Sequence, residues 1–104
     1  MIARTWRGAV KREDGDAYAA YIDETGIAAY VATPGNLGAW MLRRDVGELT
    51  EFVTFTLWDS LESVKAFAGE DHETAVFYPE DDRYLVDRET TTTHYEVVEA
   101  PEGA

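Results

Sequence analysis

Residues 54–69 read TFTLWDSLESVKAFAG, and the change of pattern inside this stretch decides the fold. Before Asp59, the residues Phe52, Val53, Phe55 and Leu57 mix with threonines, a composition suited to a pleated strand. After it, Leu61, Val64 and Phe67 recur at helical spacing, with Glu62, Ser63 and Lys65 between them. Asp59 or Ser60 can cap that helix by accepting a backbone N–H, and Gly69 can end it. Trp58 stands at the hinge. A large aromatic there wedges strand against helix or walls a pocket opening between them.

Working outward, residues 2–10, IARTWRGAV, read as a strand. Ile2, Arg4, Trp6, Gly8 and Val10 point one way; Ala3, Thr5, Arg7 and Ala9 point the other. Asp14 or Asp16 is expected to cap a helix running from about Asp16 to Thr25, whose stripe is Tyr18, Tyr21, Ile22 and Thr25. Gly26 stops or loosens it, with a further turn open over Ile27–Val31. Thr33-Pro34-Gly35-Asn36 is a turn signal. A strand Gly38–Arg44, a loop Asp45–Thr50 and a return strand Glu51–Trp58 form a hairpin.

Beyond the hinge helix, Glu70–Phe77 reads as a second short helix ended by Tyr78-Pro79. Glu80–Arg83 reads as a charged loop, Tyr84–Val86 as an apolar anchor, and Thr90–Val98 as a β-branched final strand. Residues 101–104 read as a loose, flexible tail. The order β-α-β-β-α-β is the ferredoxin-like split pattern. It is an α+β fold of four antiparallel strands with helices on one face, here as a single domain over residues 1–100. The other sheet face carries either Trp6, Trp40, Phe52 and Trp58 or Val53, Phe55, Leu57, Tyr95 and Val97, depending on register. Either set needs cover, and a second copy packed sheet to sheet is the simplest cover.

Composition narrows the partners. The 104 residues carry 9 Lys+Arg against 21 Asp+Glu, a formal charge of −12, which argues against nucleic acid and anionic membranes. There is no cysteine, so disulfides, thiolate catalysis and cysteine metal sites are excluded. No apolar run approaches a membrane span, MIARTWRGAV is too polar for a signal peptide, and a cytoplasmic location is expected.

Few residues stand out chemically. His94, alternating with Thr92 and Glu96, is the titrating group best suited to act as a general base near neutral pH; a strand or dimer contact is the alternative. His72, in an acidic stretch, reads as solvated, and no metal motif is present. Arg4 shares a face with Trp6. That pair could orient a carboxylated or phenolate substrate, or Arg4 could form an inter-strand ion pair. Tyr18, Tyr21 and Tyr30 read as core or as phenols at a pocket edge, and Tyr78–Asp82 reads as cover for a pocket mouth or as a helix cap. Trp58 is open to both packing and substrate contact.

With order and motifs in place, the chain resembles the antibiotic biosynthesis monooxygenase-like family of dimeric α+β barrels over Ile2–Val98. The residues that carry the resemblance are ARTWRG, ATPGNLGAW, FTLWDSLESVKAFAG, AVFYPEDDRYL and HYEVV. It implies a homodimer and cofactor-free oxygenation of an electron-rich phenol, quinol or anthrone, whose own anion reduces O2. The substrate would lie in a cavity between sheet and helices. It also implies Trp58 and Thr54 in the pocket; the anthrone-oxidising branch has asparagine where Thr54 stands. His94 joins these two as the catalytic set. Arg4, Trp6, Trp40, Tyr21, Phe67 and Phe77 are the expected substrate contacts, with no cofactor and no metal. A haem-degrading branch has a tryptophan and a histidine where this chain has Phe67 and Phe77, and lacks a counterpart here to its first-strand asparagine. Family-type haem degradation is therefore not expected. A non-catalytic ligand-binding or accessory dimer is the alternative function.

Overall fold

In a computed structural model that describes residues 1–101, the first strand β1 (Ile2–Lys11) is central. Strand β3 (Leu49–Trp58) pairs with it antiparallel along its whole length, from Ile2 opposite Trp58 to Lys11 opposite Leu49. Strand β2 (Asn36–Val46) forms the edge beyond β3. It is joined to β3 through Gly47-Glu48, where Gly47 takes φ +59°, the positive φ that primed hairpin turns require.

The other edge of β1 is covered by two short strands, β4 (Leu85–Arg88) and β5 (Thr93–Glu96). β4 pairs with Gly8–Val10 and β5 with Ile2–Thr5, so together they occupy the fourth position of the ferredoxin-like sheet. The final strand expected over Thr90–Val98 is thus shortened to Thr93–Glu96, and the apolar stretch expected at Tyr84–Val86 supplies the start of a further strand. Glu89–Thr92 spans only the two positions of Trp6 and Arg7, and the chain bows outward there.

The helices lie on one face. α1 (Gly15–Ile22) continues through a π turn (Asp23–Ile27) into α2 (Ala28–Ala32), so Gly26 loosens the helix without ending it. Tyr18, Ile22, Gly26 and Tyr30 are all buried at a spacing of four. A straight α-helix would rotate such a row off the sheet; the wider π turn brings Tyr30 back onto it. Neither expected cap operates: Asp14 makes no side-chain cap hydrogen bond, and Asp16 takes the Arg43 guanidinium at 2.9 Å.

α3 (Leu61–Ala68) begins and ends as its sequence dictates. Ser60 Oγ accepts the Ser63 N–H at 3.2 Å, and Gly69 closes the helix at φ +87°. The helix expected over Glu70–Phe77 does not form. Those residues carry a single bridge, Thr74 to Thr91, and Ala75 N–H donates to Thr90 O at 2.9 Å. β-branched Thr74 and Val76 gain little from a helix, Pro79 disfavours helix at Tyr78, and the bowed strand offers partners instead. The charged loop expected after it contains a helical turn, α4 (Asp81–Tyr84).

The Gly47-Glu48 turn sets one unbroken register from Val46 opposite Leu49 to Gly38 opposite Leu57. In it Trp40 opposes Phe55, with ring centroids 5.8 Å apart on the face away from the helices. Beyond Gly38 the register shifts: Asn36 opposes Trp58, so Leu37 is an extra residue in β2. Trp6, Phe52 and Trp58 do face the helices, and Trp40 joins Val53, Phe55 and Leu57 instead.

Gly8 lies beneath the Trp6 indole, and a Cβ there would meet Leu85 Cδ2 at 2.9 Å. Gly8→Ala is expected to cost about 1–3 kcal/mol by overpacking, read as a lowered urea midpoint at unchanged slope. An unchanged midpoint would mean that Trp6 is free to move aside.

Candidate functional site

The β1–β3 register places Arg4, Trp6 and Thr54 side by side on the helix face. Tyr18, Ile22, Gly26 and Tyr30 come down on them from the helix, and Ala75–Tyr78, Asp81 and Thr92 close the side. Together they enclose a cavity of about 10 Å³, room for roughly one water molecule.

The walls are held by named bonds. Trp6 Nε1 donates to Glu89 O at 2.7 Å, which ties the indole to the bow of the fourth strand position. Asp81 is buried, accepting the Tyr18 hydroxyl at 3.1 Å through Oδ1 and the Tyr78 N–H at 2.6 Å through Oδ2. Burial, with Asp81 beside it, pushes the Tyr18 phenol far up, so it stays protonated and donates.

Arg4 is the unusual member. It is 2% exposed, and its Nε and Nη2 are buried with no hydrogen-bond partner. Its guanidinium carbon lies 5.5 Å from the centre of the Phe67 ring. Burial pushes its pKa down, opposed by the phenols of Tyr30 and Tyr78. The inter-strand ion pair open to Arg4 from sequence is not made: Arg7, Arg12, Arg43, Arg44, Arg83 and Arg88 each hold an Asp or Glu, and Arg4 holds none among the described residues.

His94 is Arg4's neighbour on β5, directly across the ladder. Its Nε2 is buried without a partner, and its ring meets His72 edge-on at 5.0 Å. Burial first, then the charge of Arg4 and His72, push its pKa below the ordinary imidazole value, with Glu73 opposing. A neutral imidazole beside a buried cation can accept a proton. His94 does not itself line the cavity.

The remaining expected residues divide. Phe77 lines the cavity and Tyr21 does not; its hydroxyl accepts the Glu80 N–H at 3.0 Å. Phe67 packs on Tyr30 at 4.7 Å and Trp58 at 5.8 Å, behind Arg4. Trp58 is fully buried in that second cluster, and its indole N–H donates to Thr56 Oγ1 at 2.8 Å. Trp40 lies on the opposite face, because the hairpin register pairs it with Phe55. Sequence reasoning offered Tyr78–Asp82 as cover for a pocket mouth, and Tyr78 and Asp81 do line the cavity; it missed Ala75 and Thr92. No local pattern marks them, since each reaches the cavity through a partner distant in sequence. Among the described residues, no group of three His, Asp or Glu side chains converges as a metal site would require, and no helix is long and apolar enough to cross a membrane.

Removing the acceptor of the Trp58 indole separates packing from pocket chemistry. Thr56→Val leaves a buried N–H unsatisfied and is expected to cost about 1–3 kcal/mol in urea unfolding. An unchanged midpoint would mean that the indole N–H has another partner available.

No family model matches the chain, and neither does any curated protein sequence. Solved structures do. A proposed antibiotic biosynthesis monooxygenase from Bacillus cereus superposes with TM-score 0.69 at 18% identity, covering 100% of this chain and 97% of the other. A second, from Nitrosomonas europaea, gives 0.68 at 14% identity over 95% and 100%. The haem degrader MhuD from Mycobacterium tuberculosis, with two haems bound in its active site, gives 0.64 at 23% identity over 97% and 99%. The chain therefore has the ferredoxin-like fold of the antibiotic biosynthesis monooxygenase-like structures.

Proposed function

We propose that the chain is a cofactor-free oxygenase acting on a small phenol- or quinol-type aromatic bound between the sheet and the helices. The observation that carries this reading is the buried, uncompensated Arg4 guanidinium, set in an aromatic-lined cavity beside the depressed imidazole of His94. The likeness to monooxygenase structures supports it through the fold only.

The chemistry follows from those two groups. Arg4 favours the phenolate over the phenol, as a cation in a low-dielectric site does, and the proton is relayed through water to His94, which sits across the ladder from Arg4 without lining the cavity. The Thr54 hydroxyl, nearly buried in the cavity wall, is a further hydrogen-bonding group within the site. The substrate anion supplies the electrons. O2 adds at a ring carbon bearing hydrogen, the peroxide takes a proton, and loss of water leaves a quinone carbonyl. One oxygen atom enters the substrate and the other leaves as water.

Haem is a second reading, because the unpartnered Nε2 of His94 is a nitrogen of the kind that binds iron and MhuD shares the fold. Either ligand needs the cavity of about 10 Å³ to open, and a porphyrin needs it to open much further than a single ring does, which ranks haem below a one-ring substrate. A non-catalytic ligand-binding dimer is the remaining alternative.

We further infer that the protein is a homodimer through the outer sheet face. That face exposes Trp40 at 47%, Leu42 at 54% and Tyr95 at 56%, around an Arg7–Glu51–Arg44 ion-pair cluster. Apolar side chains of this size on a sheet face call for cover. A cytoplasmic location goes with this reading.

Oxygen uptake by metal-stripped, flavin-free protein is expected with hydroquinone or anthrone and is absent with boiled protein. His94 must be neutral to work, and its pKa is lowered, so the acid limb of the rate profile is expected below the ordinary imidazole value of 6.5 and lost in His94→Gln. Tryptophan quenching without uptake would favour the binding-only reading; a Soret band with haemin that vanishes in His94→Ala would favour haem. Separately, Leu42→Glu is expected to convert the dimer to monomer in sedimentation equilibrium. A parent protein that already sediments as a monomer would end the dimer proposal.

A further inference from the structure

The two unpartnered nitrogens of Arg4 are Nε and Nη2. These two share one edge of the guanidinium. Their N–H bonds run parallel, at the spacing of the two oxygens of a carboxylate, which is why arginine takes carboxylates bidentately. A phenolate offers one oxygen and leaves half of this edge unmet. The vacancy is not for want of acids: the chain has 21 Asp and Glu, and the other arginines are paired with them.

The surroundings keep those acids away. Arg4 is flanked by Thr56 on β3 and His94 on β5, and backed by the Phe67 ring. The Tyr30 phenol approaches the guanidinium from the helix to hydrogen-bonding range, and the Tyr78 phenol faces it from the wall, while Nε and Nη2 remain without a partner. Asp81 lines the same cavity, but both its oxygens are engaged, one by Tyr18 and one by the Tyr78 N–H. The cavity thus presents a free cationic edge and no free anion among its lining residues.

We propose that this site takes a carboxylate, gripped side-on by Nε and Nη2 of Arg4, and that its ligand is an aromatic carboxylate. The inference rests on the cavity being the ligand site of the proposed function, and it narrows the substrate class. The carboxylate fills the arginine edge, and Trp6, Tyr30 and Phe77 supply aromatic contact for the ring. A ring needs more than about 10 Å³, so the Ala75–Tyr78 wall moves outward on binding. That wall is irregular backbone, attached to the sheet edge at Ala75 N–H to Thr90 O and Thr92 N–H to Glu73 O.

The test compares benzoate and 2-naphthoate with 2-naphthamide and inorganic phosphate. Binding is followed by calorimetry and by tryptophan fluorescence, since Trp6 borders the site. Carboxylates are expected to bind about tenfold or more tighter than the amide, the margin of a charge-assisted bidentate contact. Arg4→Lys keeps the charge but not the edge, and is expected to lose most of that preference. Arg4→Met is expected to abolish it while melting at or above the parent temperature, because it removes a buried charge that has no partner. Equal binding of amide and carboxylate, phosphate binding as tight as benzoate, or no binding by any carboxylate would each overturn the proposal. So would an Arg4→Met protein that melts lower and keeps its preference. Carboxylate binding without oxygen uptake would support this inference and remove the oxygenase reading. Uptake that is equally efficient with phenols lacking a carboxylate would do the reverse.

Discussion

The uninterrupted ladder between β1 and β3 is the constraint on which the rest depends. Every even-numbered residue from Ile2 to Val10, and from Thr50 to Trp58, is turned to the helices by that one register. A slip of β3 by a single residue would set Phe55 and Leu57 in place of Thr54 and Trp58 beside Arg4 and Trp6, and the cavity would be lost. The register is well determined because both faces disagree strongly with such a slip. It would turn Phe52 and Trp58, both fully buried, onto the outer face, and bring the Glu51 ion-pair cluster under the helices.

Within the helix face, the apolar residues form two clusters. Trp6, Val10, Tyr18, Ile22 and Phe52 pack at one end; Tyr30, Trp58 and Val64 pack at the other. Between them runs a polar band of Arg4, Thr54 and Thr56, all nearly fully buried. Packing on either side is complete enough that the band, and the cavity above it, is where the two clusters fail to meet. Thr56 serves the second cluster by accepting the Trp58 indole N–H, while donating to Arg4 O at 3.3 Å. Thr54 and the Arg4 head are left to the cavity.

What could be read from the sequence follows the range of the forces involved. The hinge after Trp58, the Ser60 cap and the Gly69 stop are local, and they stand as the residue types dictate. The β-α-β-β order survives because periodicity over a whole element outweighs single residues. Alternation within Gly38–Arg44 leaves the face of Trp40 open, and the register of the Gly47-Glu48 hairpin decides it by pairing Trp40 with Phe55. The helix expected over Glu70–Phe77 loses to strand contacts with Thr90–Thr92, partners that only the folded chain brings near. Asp81 belongs by sequence to a charged loop and is buried with Tyr18, far away in sequence, donating to it. His94 and Arg4 were legible by type, but their adjacency depends on how β5 sits against β1.

Arg4 sits where folding alone would not put a charge. Taking an ion out of water without a counter-ion costs several kcal/mol even after relaxation, roughly, against a typical domain stability of about 5–15 kcal/mol. The Phe67 ring face returns about 0.5–2 kcal/mol of this at the observed stacking distance, and the nearby phenols carry no charge to set against it. A methionine or leucine would fill the same space without the penalty. A ligand that binds the folded state would offset that cost. A ligand present at about a hundred times its dissociation constant adds about 2.7 kcal/mol of stability, the scale of the deficit. The same desolvation that makes Arg4 expensive when empty makes its field strong when filled, because little water remains to screen it. A buried cation without a carboxylate partner, at the seam between two well-packed clusters, is therefore the feature on which the proposed ligand reading rests.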